Sequence, residues 1–233
     1  MGEVFYQFVL FLNSLLFNNF GLTVIALGIL SRLIFFPLFS SQIKQAKKWE
    51  QLKPKLDDLQ NKHKNDKQRL AMEQAKLMKE AGVNPAAGCF PLILQILIIN
   101  LLYGAFFRFI KEGLNTKFLF WDLAKPDVFK LNLGQKLFLL PGILVILAAI
   151  TQFAQAKMMM SRKKEKPGEQ KNQEKKEGED IAESFAQSQE MMVWMFPLMF
   201  LFLGTKWASG LALYWTVATV MAIGQQWFLN KKK

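Results

Sequence analysis

The chain has 233 residues, 52% hydrophobic with 22 Phe, and 30 Lys+Arg against 18 Asp+Glu give a formal net charge of +12. One cysteine, Cys89, excludes an intrachain disulfide or a cysteine-cluster metal site, and one histidine, His63, in a basic stretch gives no footing for a Ser–His triad or a zinc centre. In a soluble protein that charge would point to nucleic acid, but here the basic residues fall between apolar runs of membrane length, so it reads first as topology and attraction to anionic headgroups, with a polyanion such as the ribosome left open.

Residues 1–20 carry Glu3 and no basic n-region, unlike a signal peptide. They are mostly apolar but interrupted by Asn13, Ser14, Asn18 and Asn19. This pattern predicts a helix lying in the membrane interface; a sixth span, or one helix continuous with the next segment, is the competing reading. A first span is expected over 21–41, with Arg32 near its middle and Pro37 towards its end. Residues 42–84 are polar and basic, with Ile43, Ala46, Trp49, Leu52, Leu56 and Leu59 at helical steps and a break from Asn61 to Asp66 that offers an N-cap. A helical hairpin follows from that pattern, with Pro54 bending or starting a helix. A second span is expected over 86–107, a mixed loop over 108–136 and a third span over 137–157. Residues 158–190 read as a charged, low-complexity linker. A fourth span over 191–205 contains Pro197, and a fifth over 207–229 precedes a basic tail, 230–233.

Lys and Arg number 22 in residues 42–84, 157–190 and the tail, against 7 in residues 108–136 and at Lys206. That asymmetry places the hairpin, linker and C-terminus in the cytoplasm and, with five spans, the N-terminus outside. Arg32 is the remaining basic residue. At mid-helix it costs about 2.5–3.5 kcal/mol on insertion scales. Ser41 lies nine residues on, roughly 13 Å along a helix, beyond comfortable snorkelling reach. The spans hold no Asp or Glu to pair with it. A hydrated groove lined by neutral polar groups is therefore expected. Candidates are Gln95 and Asn100 in the second span, Thr151, Gln152 and Gln155 in the third, and Thr216, Thr219, Gln225 and Gln226 in the fifth. Taken singly, each of these is more often a helix–helix hydrogen bond than a functional lining.

Four motifs then become specific. They are the run Asn84-Pro85-Ala86-Ala87-Gly88-Cys89-Phe90-Pro91-Leu92-Ile93-Leu94-Gln95, ending in Leu102-Tyr103; Ala208-Ser209-Gly210-Leu211-Ala212-Leu213-Tyr214-Trp215, followed by Gln225-Gln226; Arg32 with Pro37 and Gln42; and Leu52-Lys53-Pro54-Lys55. In this order the chain resembles the YidC/Oxa/Alb membrane insertase family from about Val4 to Gln226. The resemblance implies an all-α integral membrane fold: five transmembrane helices around a hydrophilic groove open to the cytoplasm and to lipid, a cytoplasmic helical hairpin and an N-terminal interfacial helix. It implies Arg32, Gln95, Gln152 and Trp215 as groove residues, no catalytic centre, no cofactor and no metal. The hairpin would recruit clients or the ribosome. Relative to Gram-negative members, neither an extra N-terminal span nor a large periplasmic domain is expected from this sequence. It also lacks the lipoprotein-type cysteine of many Gram-positive members. Its tail is three lysines, which weakens the case for dedicated ribosome docking.

The function expected is insertion of newly made membrane proteins into a bacterial plasma membrane. The partners expected are nascent membrane proteins and lipid, with the ribosome and the general secretion translocon as further candidates; DNA is not expected, and the monomer is the working unit. The rivals are a small anion channel or transporter and a docking scaffold. An intramembrane enzyme is the weakest rival, because the spans lack His, Asp and Glu for acid–base work.

Overall fold

The fold is a computed structural model, which describes residues 2–63, 66–83, 90–133, 136–159 and 194–231. The motif residues Asn84–Cys89, the linker from residue 160 and the first residues of the expected fourth span lie outside the described residues.

Helix α1 (Gly2–Leu15) packs on the far end of α5 (Phe90–Lys111) and turns sharply into α2 (Phe20–Ile34). The bend is 119°. Phe17 and Asn18 make it with left-handed φ values of 59° and 54°, and Asn19 caps α2 by accepting the Leu22 N–H. Buried Thr23 donates to Asn13 Oδ1 at 3.0 Å and closes the corner. The asparagines that interrupt the apolar run are thus the turn itself, and α1 and α2 are not one straight helix.

Helix α2 stops at Ile34, and α3 runs from Phe36 to Lys62. The expected first span is therefore two helices rather than one. Pro37 has no N–H for the Leu33 carbonyl, which takes the Phe35 N–H instead. Pro54 sits inside α3. Asp66 caps α4 (Lys67–Glu80) through the Arg69 N–H, and Leu52, Leu56 and Val83 form a small core with Trp49, Leu77 and Met78. That is the helical hairpin expected from the spacing.

The expectation of an all-α chain needs correction between α5 and α6. Two antiparallel hairpins stand there, β1 (Lys117–Phe118) with β2 (Trp121–Asp122) and β3 (Val128–Leu133) with β4 (Lys136–Pro141). Helix α6 (Ile143–Met159) begins six residues later than the expected third span. Hydropathy counts Leu137–Leu140 as span, but Pro141 and Gly142 interrupt a helix, and the alternation in Val128–Leu133 favours strand pairing. Helix α7 (Trp194–Leu203) and helix α8 (Ser209–Lys231) complete the described chain.

Among the described residues one helix, from Ile93 to Lys111, is long and apolar enough by itself to cross a membrane. Helices α1 and α2 pass that test as a bent pair, and α6 and α7 are shorter apolar helices. Helix α8 has the length, at 23 residues, but Thr216, Thr219, Gln225 and Gln226 interrupt its apolar runs, and Thr219, Gln225 and Gln226 are buried. It contacts α2, α3, α5 and α6. One core joins α1, α2, α5 and α8, centred on Val9, Phe20, Phe106, Phe109, Leu123 and Tyr214.

Candidate functional site

The candidate site is organised by α8. Its polar residues each reach a different helix. Tyr214 lies against α2 and its hydroxyl donates to Ser31 Oγ at 3.3 Å. Close approach is allowed there by Gly28, where an added Cβ would come within 2.9 Å of Val217 Cγ1. The next residue, Trp215, turns towards α6 and its indole N–H donates to Gln152 Oε1 at 2.7 Å. Thr219, one turn on, donates to the same oxygen at 3.4 Å. Two of the four residues expected in the groove, Gln152 and Trp215, are therefore directly bonded. Gln152 has its carbonyl engaged, and its amide nitrogen has no hydrogen-bond partner among the described residues.

Arg32 is in the last turn of α2, beside the Ser31 that Tyr214 holds. It is half-buried, and among the described residues it has no carboxylate partner and no hydrogen bond. Its guanidinium carbon lies 4.1 Å from the centre of the Phe39 ring. This qualifies the argument from composition. Once an ion pair was excluded, a hydrated cavity was the only stabilisation left to a mid-helix arginine. The helix break at Phe35 supplies two more: the partial negative charge of a helix C-terminus and the face of an aromatic ring brought round by α3. Neither was readable from spacing, because both depend on α2 ending at Ile34.

Gln95 is half-buried on α5 and makes no bond to the other three residues. Ile99, one turn further on, meets Tyr214 and Trp215 across an apolar cavity of about 10 Å³ shared with Trp207 and Leu211. Residues four apart share a helix face, so Gln95 lies on the α8 side of α5. A larger cavity, about 80 Å³, opens between α3, α6 and α8 and is lined by Ile43, Lys47, Glu50, Met158, Gln226 and Asn230. Arg32 lines neither cavity. Gln225 and Gln226, expected as lining, tie helices together: Gln225 donates to Phe36 O and Ser40 Oγ, both at 3.0 Å, and Gln226 donates to Met158 O at 2.9 Å. Thr151 and Thr216 bond to carbonyls of their own helices.

Sequence reasoning missed the opposite end. Asp127 Oδ2 accepts the Leu144 N–H of α6 at 2.6 Å, and Asp127 Oδ1 accepts the Trp121 indole at 3.3 Å. Its own carbonyl takes the Gly142 N–H. The Lys125 and Leu123 carbonyls take the first N–H groups of α8, from Ser209 and Gly210. The loop between α5 and α6 thus caps two helix N-termini at once. Pro126-Asp127 and Pro141-Gly142 were the available signals, each a turn signature in an otherwise unassigned loop.

Against known proteins, the family described as 60Kd inner membrane protein matches residues 11–233. A Fusobacterium nucleatum protein named "Membrane protein insertase YidC" is 31% identical over 231 residues, which are 98% of this chain and 94% of that protein. The chain belongs to this family. Proteins of the same printed name from Leptospira interrogans and Syntrophus aciditrophicus are 33% and 32% identical over 221 and 217 residues. Each match takes in 92% of this chain, but the chain spans only about a third of those relatives, 31% and 34% of their lengths. Arg32, Gln95, Gln152 and Trp215 all fall within the part of this family member that matches the family.

Proposed function

We propose that the chain is an insertase that assists newly made membrane proteins into a bacterial plasma membrane. The observation that carries this reading is Arg32. In a chain of this family it is half-buried beside α8 with no acidic partner among the described residues, and the Gln152 amide nitrogen likewise has no hydrogen-bond partner among them. In this reading α2, α5, α6, α7 and α8 are the five spans and α1 lies in the outer interface. The α3–α4 hairpin, the linker and the C-terminus are cytoplasmic, as the distribution of Lys and Arg favours. Arg32, Gln95, Gln152 and Trp215 line a groove that opens on the cytoplasm and on lipid. The Asp127 loop closes the outer end.

A client's short polar segment must cross an apolar core where unsatisfied polar groups are costly. Entering a groove part-way into the bilayer removes part of that cost. A carboxylate on the segment is drawn to Arg32. At 4 Å such a pair is worth about 1 kcal/mol in water and about 4 kcal/mol at an effective dielectric of 20. The client's apolar helix then moves sideways into lipid, driven by burial of its own surface. Nothing in the process requires a covalent step, a cofactor or a metal. The ribosome and the secretion translocon enter this scheme only as suppliers of clients.

The test is Arg32→Ala and Arg32→Lys, with insertion measured for clients whose translocated tails are acidic or neutral. The expectation is loss with Ala, substantial recovery with Lys, and a smaller effect on neutral tails. Normal insertion of acidic tails by the Ala variant removes the attraction from the mechanism. Anion flux through reconstituted liposomes that disappears with Arg32→Ala would support the channel reading instead.

A further inference from the structure

Between α5 and α6 the chain displays apolar side chains that none of the described residues covers. Leu119 and Phe120, at the β1–β2 tip, are 77% and 74% exposed. The tip is held from behind: Phe118 packs so closely on Gly21 that an added Cβ there would lie 2.0 Å from its ring. Leu119 has a φ of 54°, a left-handed conformation unfavourable for a residue with a side chain. On the second hairpin, Phe129 pairs with Leu140, and Leu131 is two residues along the same face. All three are exposed, Phe129 by 52%. The opposite face presents Lys130 with Leu139 beside it.

Three observations say what covers this surface. First, it is continuous with a lipid-like surface. Only Gly142 separates β4 from α6, whose Ile143, Ile146, Leu147 and Ile150 are exposed. Second, α6 has 17 residues, a rise of roughly 25 Å, against a hydrocarbon core of about 30 Å. The apolar end of β4 makes up the missing length. Third, the charges left free suit headgroups. The carboxylates of Asp122 and Asp127 are occupied inside the loop, whereas Lys117 and Lys130 are exposed. The unpaired edges of a two-stranded sheet exclude the hydrocarbon interior, where their backbone groups would find no partner. The boundary between headgroups and acyl chains satisfies every condition.

We propose that the two hairpins between α5 and α6 form an anchor in the outer leaflet. Phe129, Leu131, Leu140, Leu119 and Phe120 enter the acyl boundary, while Lys130 stays at the level of anionic headgroups. The proposal rests on the reading that α6 spans the bilayer. The anchor extends that short helix and fixes the outer loop, and with it the capped ends of α6 and α8, at a set depth.

The experiment uses the full chain with Cys89→Ser, reconstituted in phosphatidylethanolamine/phosphatidylglycerol vesicles. Single cysteines, Phe129→Cys, Leu131→Cys, Lys130→Cys and Ile150→Cys, carry an environment-sensitive fluorophore. Quenchers are aqueous iodide and nitroxide lipids labelled near the headgroup or near the acyl terminus. Positions 129 and 131 are expected to be quenched most by the shallow nitroxide and several-fold less by iodide than position 130. Position 150 is expected to be quenched most by the deep nitroxide. Should iodide reach 129 and 131 as well as 130 while 150 remains in lipid, the anchor is wrong and the spanning reading survives. Iodide access at 150 as well overturns both. Deep quenching at 129 and 131 contradicts an interfacial sheet. Shielding from iodide only after a client is added makes the face a client platform and likewise overturns the lipid anchor.

Discussion

Replacing Asp127 by Ala should unlatch the start of α6. Its carboxylate accepts the Leu144 N–H at 2.6 Å, the job an N-cap side chain does, though it comes from 17 residues upstream. A hydrogen bond to a charged group is worth about 1.5–3 kcal/mol. The attraction of a carboxylate for a helix N-terminus, about 0.3–1 kcal/mol, overlaps with that figure and is not added to it. A loss of about 2 kcal/mol raises the local opening constant roughly thirtyfold, at 1.4 kcal/mol per decade. Asp127→Asn keeps one oxygen for the Leu144 N–H but loses the charge and the acceptor for the Trp121 indole, so a smaller loss at α6, about 1 kcal/mol or roughly fivefold, is expected. Gly142→Ala provides an independent route to the same end. A Cβ there would lie 2.2 Å from the Asp127 carboxyl carbon, so the carboxylate must leave. Hydrogen exchange by mass spectrometry, on protein in lipid nanodiscs, reads the peptide from residue 142 to 150. Asp127→Ala and Gly142→Ala should lose protection there with little change in α8 below Gly210. Unchanged protection in Gly142→Ala, or an Asn variant as labile as the Ala variant, would refute the latch.

Gln152→Ala should destabilise the bundle by about 1–3 kcal/mol, because it strands the half-buried Trp215 indole N–H; Trp215→Phe keeps the ring against Phe200 and should cost about 1 kcal/mol. In a double-mutant cycle read by thermal unfolding in nanodiscs, the two effects should be clearly less than additive, and strict additivity would mean that the bond contributes nothing. The Asp122 carboxyl is held below the usual carboxylate range, first by its bond to the Lys125 ammonium and then by the Thr116 hydroxyl. Its contribution to loop stability is thus complete above about pH 4, the unfolded value, and disappears as pH falls through the lower folded value. Exchange at residues 116–125 measured from neutral to acidic pH should show that loss in the wild type and a flatter profile in Asp122→Asn.

The helices were legible wherever their pattern was local. The Asn61–Asp66 break and the hairpin it divides follow from turn residues and three- and four-residue spacing, and Asp66 caps as its position suggests. The start of the third span was not legible. Hydropathy cannot distinguish Leu137–Leu140 in a strand from the same residues in a helix, since it sums apolar character without regard to backbone conformation. The end of α2 was signalled by Pro37, but two residues later than the break itself. Among site residues, Trp215 and Gln152 could be named from the family pattern, whereas their bond to each other needed the α6–α8 crossing. Gln225 and Gln226 show the limit of composition: a polar residue in a span looks alike whether it faces a ligand or a neighbouring helix. Asp127 acts across 17 residues, so no local window contained both the cap and the helix it serves.

How Arg32 persists without an acidic partner among the described residues bears directly on what it can do. An arginine at a helix centre costs about 2.5–3.5 kcal/mol on insertion scales. A ring face contributes about 0.5–2 kcal/mol in return, and a cation at a helix C-terminus about 0.3–2 kcal/mol. Phe39 and the end of α2 therefore offset part of the cost, and they do so without using the guanidinium's hydrogen-bonding capacity. A guanidinium has five N–H donors, and none finds an acceptor among the described residues. An arginine paired with an internal carboxylate would have to give up that partner before it could bind a client, and the exchange would be nearly neutral. In the proposed mechanism an arriving carboxylate gains charge-assisted bonds and breaks no ion pair that Arg32 makes among the described residues. Lysine at this position keeps the charge and loses the planar contact with Phe39, so its recovery of acidic-tail insertion should be incomplete. The size of the remaining gap measures the share of the attraction that depends on guanidinium geometry rather than on charge alone.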